Sequence, residues 1–163
     1  MIKLLVTDEL SAEGLEMLRR GGQVQVDVRP NLPHEELINI IGDYDALIIR
    51  SGTKVTADVI EAGKSLKVVG RAGVGVDNVD VKAATRRGIL VMNTPAANII
   101  SAAEHTMAMM MTLARNIVWA DASLKKGEWK RSKFTGFELN GKTLGIVGIG
   151  RVGGEVAKRA KAF

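Results

Sequence analysis

Three glycine-bearing segments hold the residue types through which this chain could do chemistry. Gly148-Ile149-Gly150-Arg151-Val152-Gly153 has the spacing of a phosphate cradle, after the apolar run Thr143-Leu144-Gly145-Ile146-Val147 and ahead of a helical pattern. In that context Gly148 permits a tight turn, Gly150 lets the backbone approach a pyrophosphate, and Gly153 lets helix and strand pack closely. Amides at the helix start would face the phosphates. A dinucleotide site also needs an acidic residue about 20 positions further on, to hold the adenosine ribose. That position falls past Phe163, so the ribose half of the site is expected to lie outside these residues. The second segment, Arg71-Ala72-Gly73-Val74-Gly75, follows an apolar run and carries small residues whose amides can hold a carboxylate. The third, Arg50-Ser51-Gly52, offers a guanidinium able to fork onto carboxylate or phosphate. The plainer alternatives are a sheet-edge surface arginine at Arg50 and glycines kept for packing at 73 and 75.

Other chemistries are excluded or weak. The chain has no cysteine, which removes disulfides and thiolate catalysis, and no metal site is expected. Its two histidines are read as structural: His34 follows Pro33 at a helix start, and His105 adjoins Glu104. Helix neighbours point about 100° apart, so that pair cannot work together. Glu104 is better placed to complete a capping box with Ser101 as N-cap. A net charge of +5 concentrates at Lys125, Lys126, Lys130, Arg131 and Lys133, among Trp129 and Phe134. Without any nucleic-acid motif this is a solvated connection with two aromatic anchors, and no nucleic-acid partner is expected. No apolar run approaches the roughly 20 residues of a membrane span. The start of the chain is too soon charged for a secretory signal, so no membrane partner and a cytoplasmic location are expected.

The elements that must position these loops alternate. Short β-branched runs at 2–7, 24–28, 46–49, 67–69 and 89–91 are separated by amphipathic stretches at 12–19, 34–41, 57–62 and 81–87. That rhythm predicts a parallel five-stranded α/β layer with helices on both faces, flavodoxin-like in type, and leaves the strand order open. From Ser101, apolar residues recur at helical spacing to Val118, with Lys125 and Lys126 before Gly127. This predicts one helix of about six turns, part of it in a subunit interface. Asn140-Gly141 reads as a turn, 142–147 as a strand and 151–161 as a helix.

The segments 71–80 (Arg71 to Asp80), 88–95 (Gly88-Ile89-Leu90-Val91-Met92-Asn93-Thr94-Pro95), Ser101-Ala102-Ala103-Glu104, 139–145 and the glycine loop resemble, in this order and spacing, the D-isomer-specific 2-hydroxyacid dehydrogenases. The resemblance covers essentially the whole chain. It implies a flavodoxin-like substrate domain at 1–94, a linking helix and dimerisation arm at 95–140, and the start of an NAD-binding Rossmann domain at 141–163. It implies substrate contacts at Arg50, Ser51, Gly52, Arg71, Ala72, Gly73, Val74 and Gly75. Cofactor contacts would come from Val74, Asn98, Gly148, Gly150, Arg151, Val152 and Gly153. The family often has threonine where this chain has Val74, so only a backbone or van der Waals role carries over there. Asn98 resembles the asparagine beside the nicotinamide ribose, though it could equally just start a helix.

The reaction implied is hydride transfer between NAD and a phosphorylated 2-hydroxy or 2-oxo acid, in a homodimer joined through the 101–126 helix and arm. The family's proton-donating His–Glu pair and its substrate-holding arginine correspond to positions past residue 163, so residues 1–163 alone are expected to lack activity. The 71–80 and 88–95 segments favour a phosphorylated substrate over the glyoxylate-type relatives. Two other classes compete: a non-enzymatic folding or assembly unit, and a phosphorylation receiver. Asp8 and Glu9 would suit a receiver, but no aspartate follows Ile49, and that reading is set aside.

Overall fold

The computed structural model describes residues 1–163, which form two compact units, Met1–Ala97 and Asn98–Phe163. In the first unit, β1 (Ile2–Val6), β2 (Val24–Val28), β3 (Ala46–Ile49), β4 (Val68–Arg71) and β5 (Leu90–Asn93) pair in parallel, in the order β2-β1-β3-β4-β5. This is the flavodoxin-like doubly wound order, whose switch point lies between β1 and β3. The helices are α1 (Ala12–Arg20), α2 (His34–Ile40), α3 (Ala57–Ala62) and α4 (Val81–Arg86). Two have side-chain caps: Ser11 accepts from the Gly14 amide at 3.1 Å, and Asp80 from that of Ala83 at 2.8 Å. Arg87 covers the carbonyl end of α3, donating to the carbonyls of Ile60, Glu61 and Gly63.

Helices lie on both faces, as expected, but they do not cover them equally. Leu5, Leu47 and Val69 lie side by side in register and are fully buried beneath α2, α3 and α4, with Leu37, Val59, Ile60, Ala83 and Ala84. On the opposite face Ala46, Val68 and Leu90 are in register, and only α1, which has no fully buried residue, packs there. Leu90 and Met92 are more than half exposed, and a cleft of about 400 Å³ runs along this face past Leu4, Ile48, Val68 and Met92.

The second unit holds α5 (Ile99–Ala114), α6 (Ile117–Lys125) and α7 (Arg151–Ala160). The expected six-turn helix is therefore two helices. They part at Asn116, which adopts a left-handed conformation with φ 54°, one that asparagine tolerates better than most residues. The incoming segment satisfies the interrupted end: the Phe137 amide donates to the Ala114 carbonyl at 2.9 Å, and Asn116 Nδ2 donates to the Thr135 carbonyl at 3.2 Å. Gly136 lies so close to the Ala114 carbonyl that no side chain would fit there.

The capping box is also corrected. The N-cap lies three residues earlier, at Asn98, and the Ser101 hydroxyl donates to the Asn98 carbonyl at 3.1 Å. Glu104 lies 3.8 Å from Arg159 instead. α5 and α7 meet through Ala103, Met107 and Val156. The Asn140-Gly141 turn forms, with Gly141 at φ 70° and the Lys142 amide donating to the Leu139 carbonyl. The strand expected at 142–147 does not form. That segment pairs with no other, and Val147 is fully exposed. A strand needs a ladder partner, which local β-propensity cannot supply. Of the two expected aromatic anchors, Trp129 is exposed and only Phe134 is partly buried.

Candidate functional site

Open parallel sheets bind ligands outside the carboxyl ends of their strands, near the switch point. In the first unit that edge carries the segments after β1, β3 and β4, each exposed where its strand leaves the core. Asp8, just after β1, accepts from the amides of Arg50 at 2.6 Å and Thr53 at 3.2 Å. Its other carboxylate oxygen lies so close to Gly52 that a side chain there would collide. Across the turn, Asn78 Nδ2 donates to the carbonyls of Arg50 at 2.7 Å and Thr53 at 2.6 Å. Beneath, the hydroxyls of Thr7 and Thr53 are hydrogen-bonded at 2.8 Å. The Arg50 side chain is exposed and touches only the Glu9 carbonyl, at 3.4 Å.

The segment after β4 is built around its own arginine. Arg71 is mostly buried; its Nη1 donates to the Gly75 carbonyl at 2.5 Å, and its Nη2 lies 3.9 Å from Asp77. A Cβ on Gly73 would stand 2.7 Å from that guanidinium, so glycine leaves room for it. Arg71 thus braces the loop rather than projecting toward a ligand. The Ala72 amide donates to the Ile49 carbonyl and the Gly73 amide to the Arg71 carbonyl, both at 2.8 Å, so neither faces outward. The Val74 and Gly75 amides make no such bond, and Val74 is 42% exposed. From β5, Asn93 Nδ2 holds the Val74 carbonyl at 2.6 Å, and the Thr94 amide holds that of Gly73 at 2.9 Å.

The structure therefore brings Arg50, Ser51 and Gly52 to one sheet edge with the loop from Arg71 to Gly75. The acceptor-less amides there belong to Ser51, Gly52, Val74 and Gly75. Asp8, Asn78 and Asn93, to which sequence reasoning gave no part in the site, fix the loops. Their only sequence signal was position, each directly after a strand or inside a motif.

Asn98 and the glycine loop belong to the second unit. Asn98 precedes α5 without a side-chain capping bond. Gly148 has φ 92°, a conformation glycine alone adopts freely. Gly150 is the N-cap of α7, and nothing lies within 4 Å of where its Cβ would be. A Cβ on Gly153 would collide with the Gly148 carbonyl, which closes the loop on itself. The first-turn amides of a helix have no partner within it, and no side chain caps them here. An open approach at Gly150 beside those amides fits a pyrophosphate.

Neither histidine stands in these loops. His34 Nε2 is 3.1 Å from Asp58, and the hydroxyl of Thr56, then His34, hold the Asp58 carboxyl down at about 2. His105 is exposed on α5. No group of histidine and acidic side chains could hold a metal ion, and no helix is long and apolar enough to cross a membrane.

Residues 4–161 match the model of the D-isomer specific 2-hydroxyacid dehydrogenase catalytic domain. The chain is 57% identical, over all 163 residues, to a D-3-phosphoglycerate dehydrogenase of Methanocaldococcus jannaschii, of which it spans 31%. Among solved structures, the TT0316 protein from Thermus thermophilus superposes with a TM-score of 0.90 at 37% identity, over 99% of this chain and 53% of that one. The NAD+-bound 3-phosphoglycerate dehydrogenase of Entamoeba histolytica superposes at 0.78 with 31% identity, over 99% and 51%. With its strand order, its paired loops at the sheet edge and its glycine loop, the chain belongs to the D-isomer specific 2-hydroxyacid dehydrogenase family.

Proposed function

We propose that the chain serves the NAD-dependent oxidation of D-3-phosphoglycerate to 3-phosphohydroxypyruvate in the cytoplasm, and that its own part is to bind and orient both reactants. The observation that carries this reading is the sheet edge where Arg50 and four amides without an acceptor, of Ser51, Gly52, Val74 and Gly75, are held together by side chains from neighbouring loops. An acid with two anionic groups, a carboxylate and a phosphate, suits that edge. Backbone amides and Arg50 are hydrogen-bond donors, and charge-assisted bonds to an anion are shorter and stronger than neutral ones. Arg71 acts by bracing the loop.

When bound, NAD supplies the hydride acceptor, and Gly148, Gly150, Arg151, Val152 and Gly153 would hold its pyrophosphate, with Val74 and Asn98 as further contacts. We assign no proton-transfer role to any residue of the chain, since His34 pairs with Asp58 and His105 lies on a helix surface. Residues 1–94 are read as the substrate domain, 95–140 as a dimerisation arm and 141–163 as the opening of the cofactor domain. The apolar side chains of Met109, Leu113, Val118 and Trp119, each more than half exposed on α5 and α6, support homodimerisation. A monomeric mass by light scattering at micromolar concentration would count against the dimer.

The substrate reading is tested by titrating the ¹⁵N-labelled chain with D-3-phosphoglycerate and following its amide resonances. Shifts concentrated at Ser51, Gly52, Val74 and Gly75, weaker with unphosphorylated D-glycerate, are expected. Unmoved loop amides at millimolar ligand would overturn it.

A further inference from the structure

The 50–53 turn is held in an unusual way. Both amides at its ends donate to one carboxylate, Asp8, and both carbonyls accept from one carboxamide nitrogen, Asn78 Nδ2. Asn78 lies five residues beyond Gly73, in the loop that contributes the Val74 and Gly75 amides. Its own backbone joins the two loops again: the Val55 amide donates to the Asn78 carbonyl at 2.8 Å, and the Asp80 amide to that of Val55 at 2.8 Å.

We propose that Asn78 is a positioning residue, a two-pronged strap that sets the distance between the Arg50 turn and the Val74–Gly75 amides without touching the substrate. The inference rests on the substrate assignment of those loops given above. Its support is a sacrifice. Asn78 Oδ1 is buried with no hydrogen-bond partner, while both hydrogens of Nδ2 are used. Leaving a buried acceptor unpaired is costly, so the side chain is kept for two donors on one nitrogen. Among side chains of this length only asparagine offers them. Aspartate would turn carboxylate oxygens toward two carbonyls. Glutamine would carry the same donors one methylene too far and push the loops apart.

Three chains separate positioning from mere stability: the wild type, Asn78→Asp and Asn78→Gln. Each is measured for melting by circular dichroism, for amide hydrogen exchange at Arg50 and Thr53, and for D-3-phosphoglycerate affinity by resonance titration. N78Q is expected to stay folded and to bind about tenfold more weakly, the size of effect that follows from losing one well-placed hydrogen bond to a charged group. N78D should show the larger loss, with faster exchange at both Arg50 and Thr53. ADP binding at the glycine loop, in the other unit, should not change in N78Q.

If N78Q melts lower but binds D-3-phosphoglycerate as the wild type does, Asn78 is only structural and the proposal is overturned. The same follows if exchange at Arg50 and Thr53 is unaltered in both variants. N78Q remains the decisive variant should N78D fail to fold. A wild type that does not bind the acid at all instead overturns the substrate reading, and exchange at Arg50 and Thr53 then still decides whether the strap exists.

Discussion

The two units of this chain are stabilised in opposite ways. In Met1–Ala97 one continuous cluster, from Leu5 through Leu47 and Val69 to Ile89, lies beneath three helices, and its 50–53 turn is tied down by side chains from neighbouring loops. In Asn98–Phe163 the buried cluster is Ala103, Met107 and Val156, and the shape of the 148–153 loop rests on its glycines. In the function proposed above, both units would use glycine-rich backbone to meet an anion. The first surrounds that backbone with structure, whereas the second leaves Val147 and Ile149 exposed on the loop itself. Binding precision should therefore depend on long-range side chains in the first unit and on local backbone freedom in the second.

The largest effect should come from cutting the two clusters. Leu47→Ala removes a fully buried side chain at the sheet centre and should cost about 3 kcal/mol. Val156→Ala, in a cluster of three buried side chains, should cost about 1 kcal/mol. Urea unfolding followed by circular dichroism measures both, and equal losses would refute the contrast.

The glycine loop sharpens the comparison at an intermediate scale. A Cβ at Gly153 meets the Gly148 carbonyl, so Gly153→Ala must displace the loop and should cost about 1–3 kcal/mol, as overpacking does. Gly150→Ala meets nothing in the chain and should leave stability within about 0.5 kcal/mol. Its methyl would nevertheless stand where a pyrophosphate approaches, and ADP affinity should fall about tenfold. A G150A chain that binds ADP as tightly as the wild type would mean that the loop is not a phosphate cradle.

What was legible in the sequence follows the same division. The five strands and four helices of the first unit were readable because β-branched runs and amphipathic helices are local patterns, and each run became a strand of the sheet, the central ones buried. Uneven helix coverage was not readable, because which face a helix joins depends on crossovers rather than on composition. In the second unit the helical spacing continued unbroken through Asn116, but the groups that satisfy the break come from Phe137 and Thr135, about twenty residues away. The 142–147 segment had strand chemistry and no partner strand. At the site, the loops were found from their motifs, but not which amides were already committed. Gly73 looked like a carboxylate donor, yet its amide closes on Arg71 while its missing side chain makes room for the guanidinium. Asp8, considered only for the receiver class that was set aside, is a clamp on the 50–53 turn.

The smallest expected effect tests whether a histidine beside an acid on this surface is more than a local hydrogen bond. Asp58 titrates at about 2, held there first by the Thr56 hydroxyl and second by His34. A carboxyl with a depressed folded pKa stabilises the fold above its unfolded value of about 3.9, and this contribution disappears as the pH falls through the folded value. The loss therefore falls between about pH 4 and pH 2, and it should be slight, because more than half of the Asp58 side chain is exposed. Thr56→Val should move the Asp58 titration upward further than His34→Ala does, as carboxyl ¹³C resonances would record. The reverse order would make His34 the principal partner of Asp58.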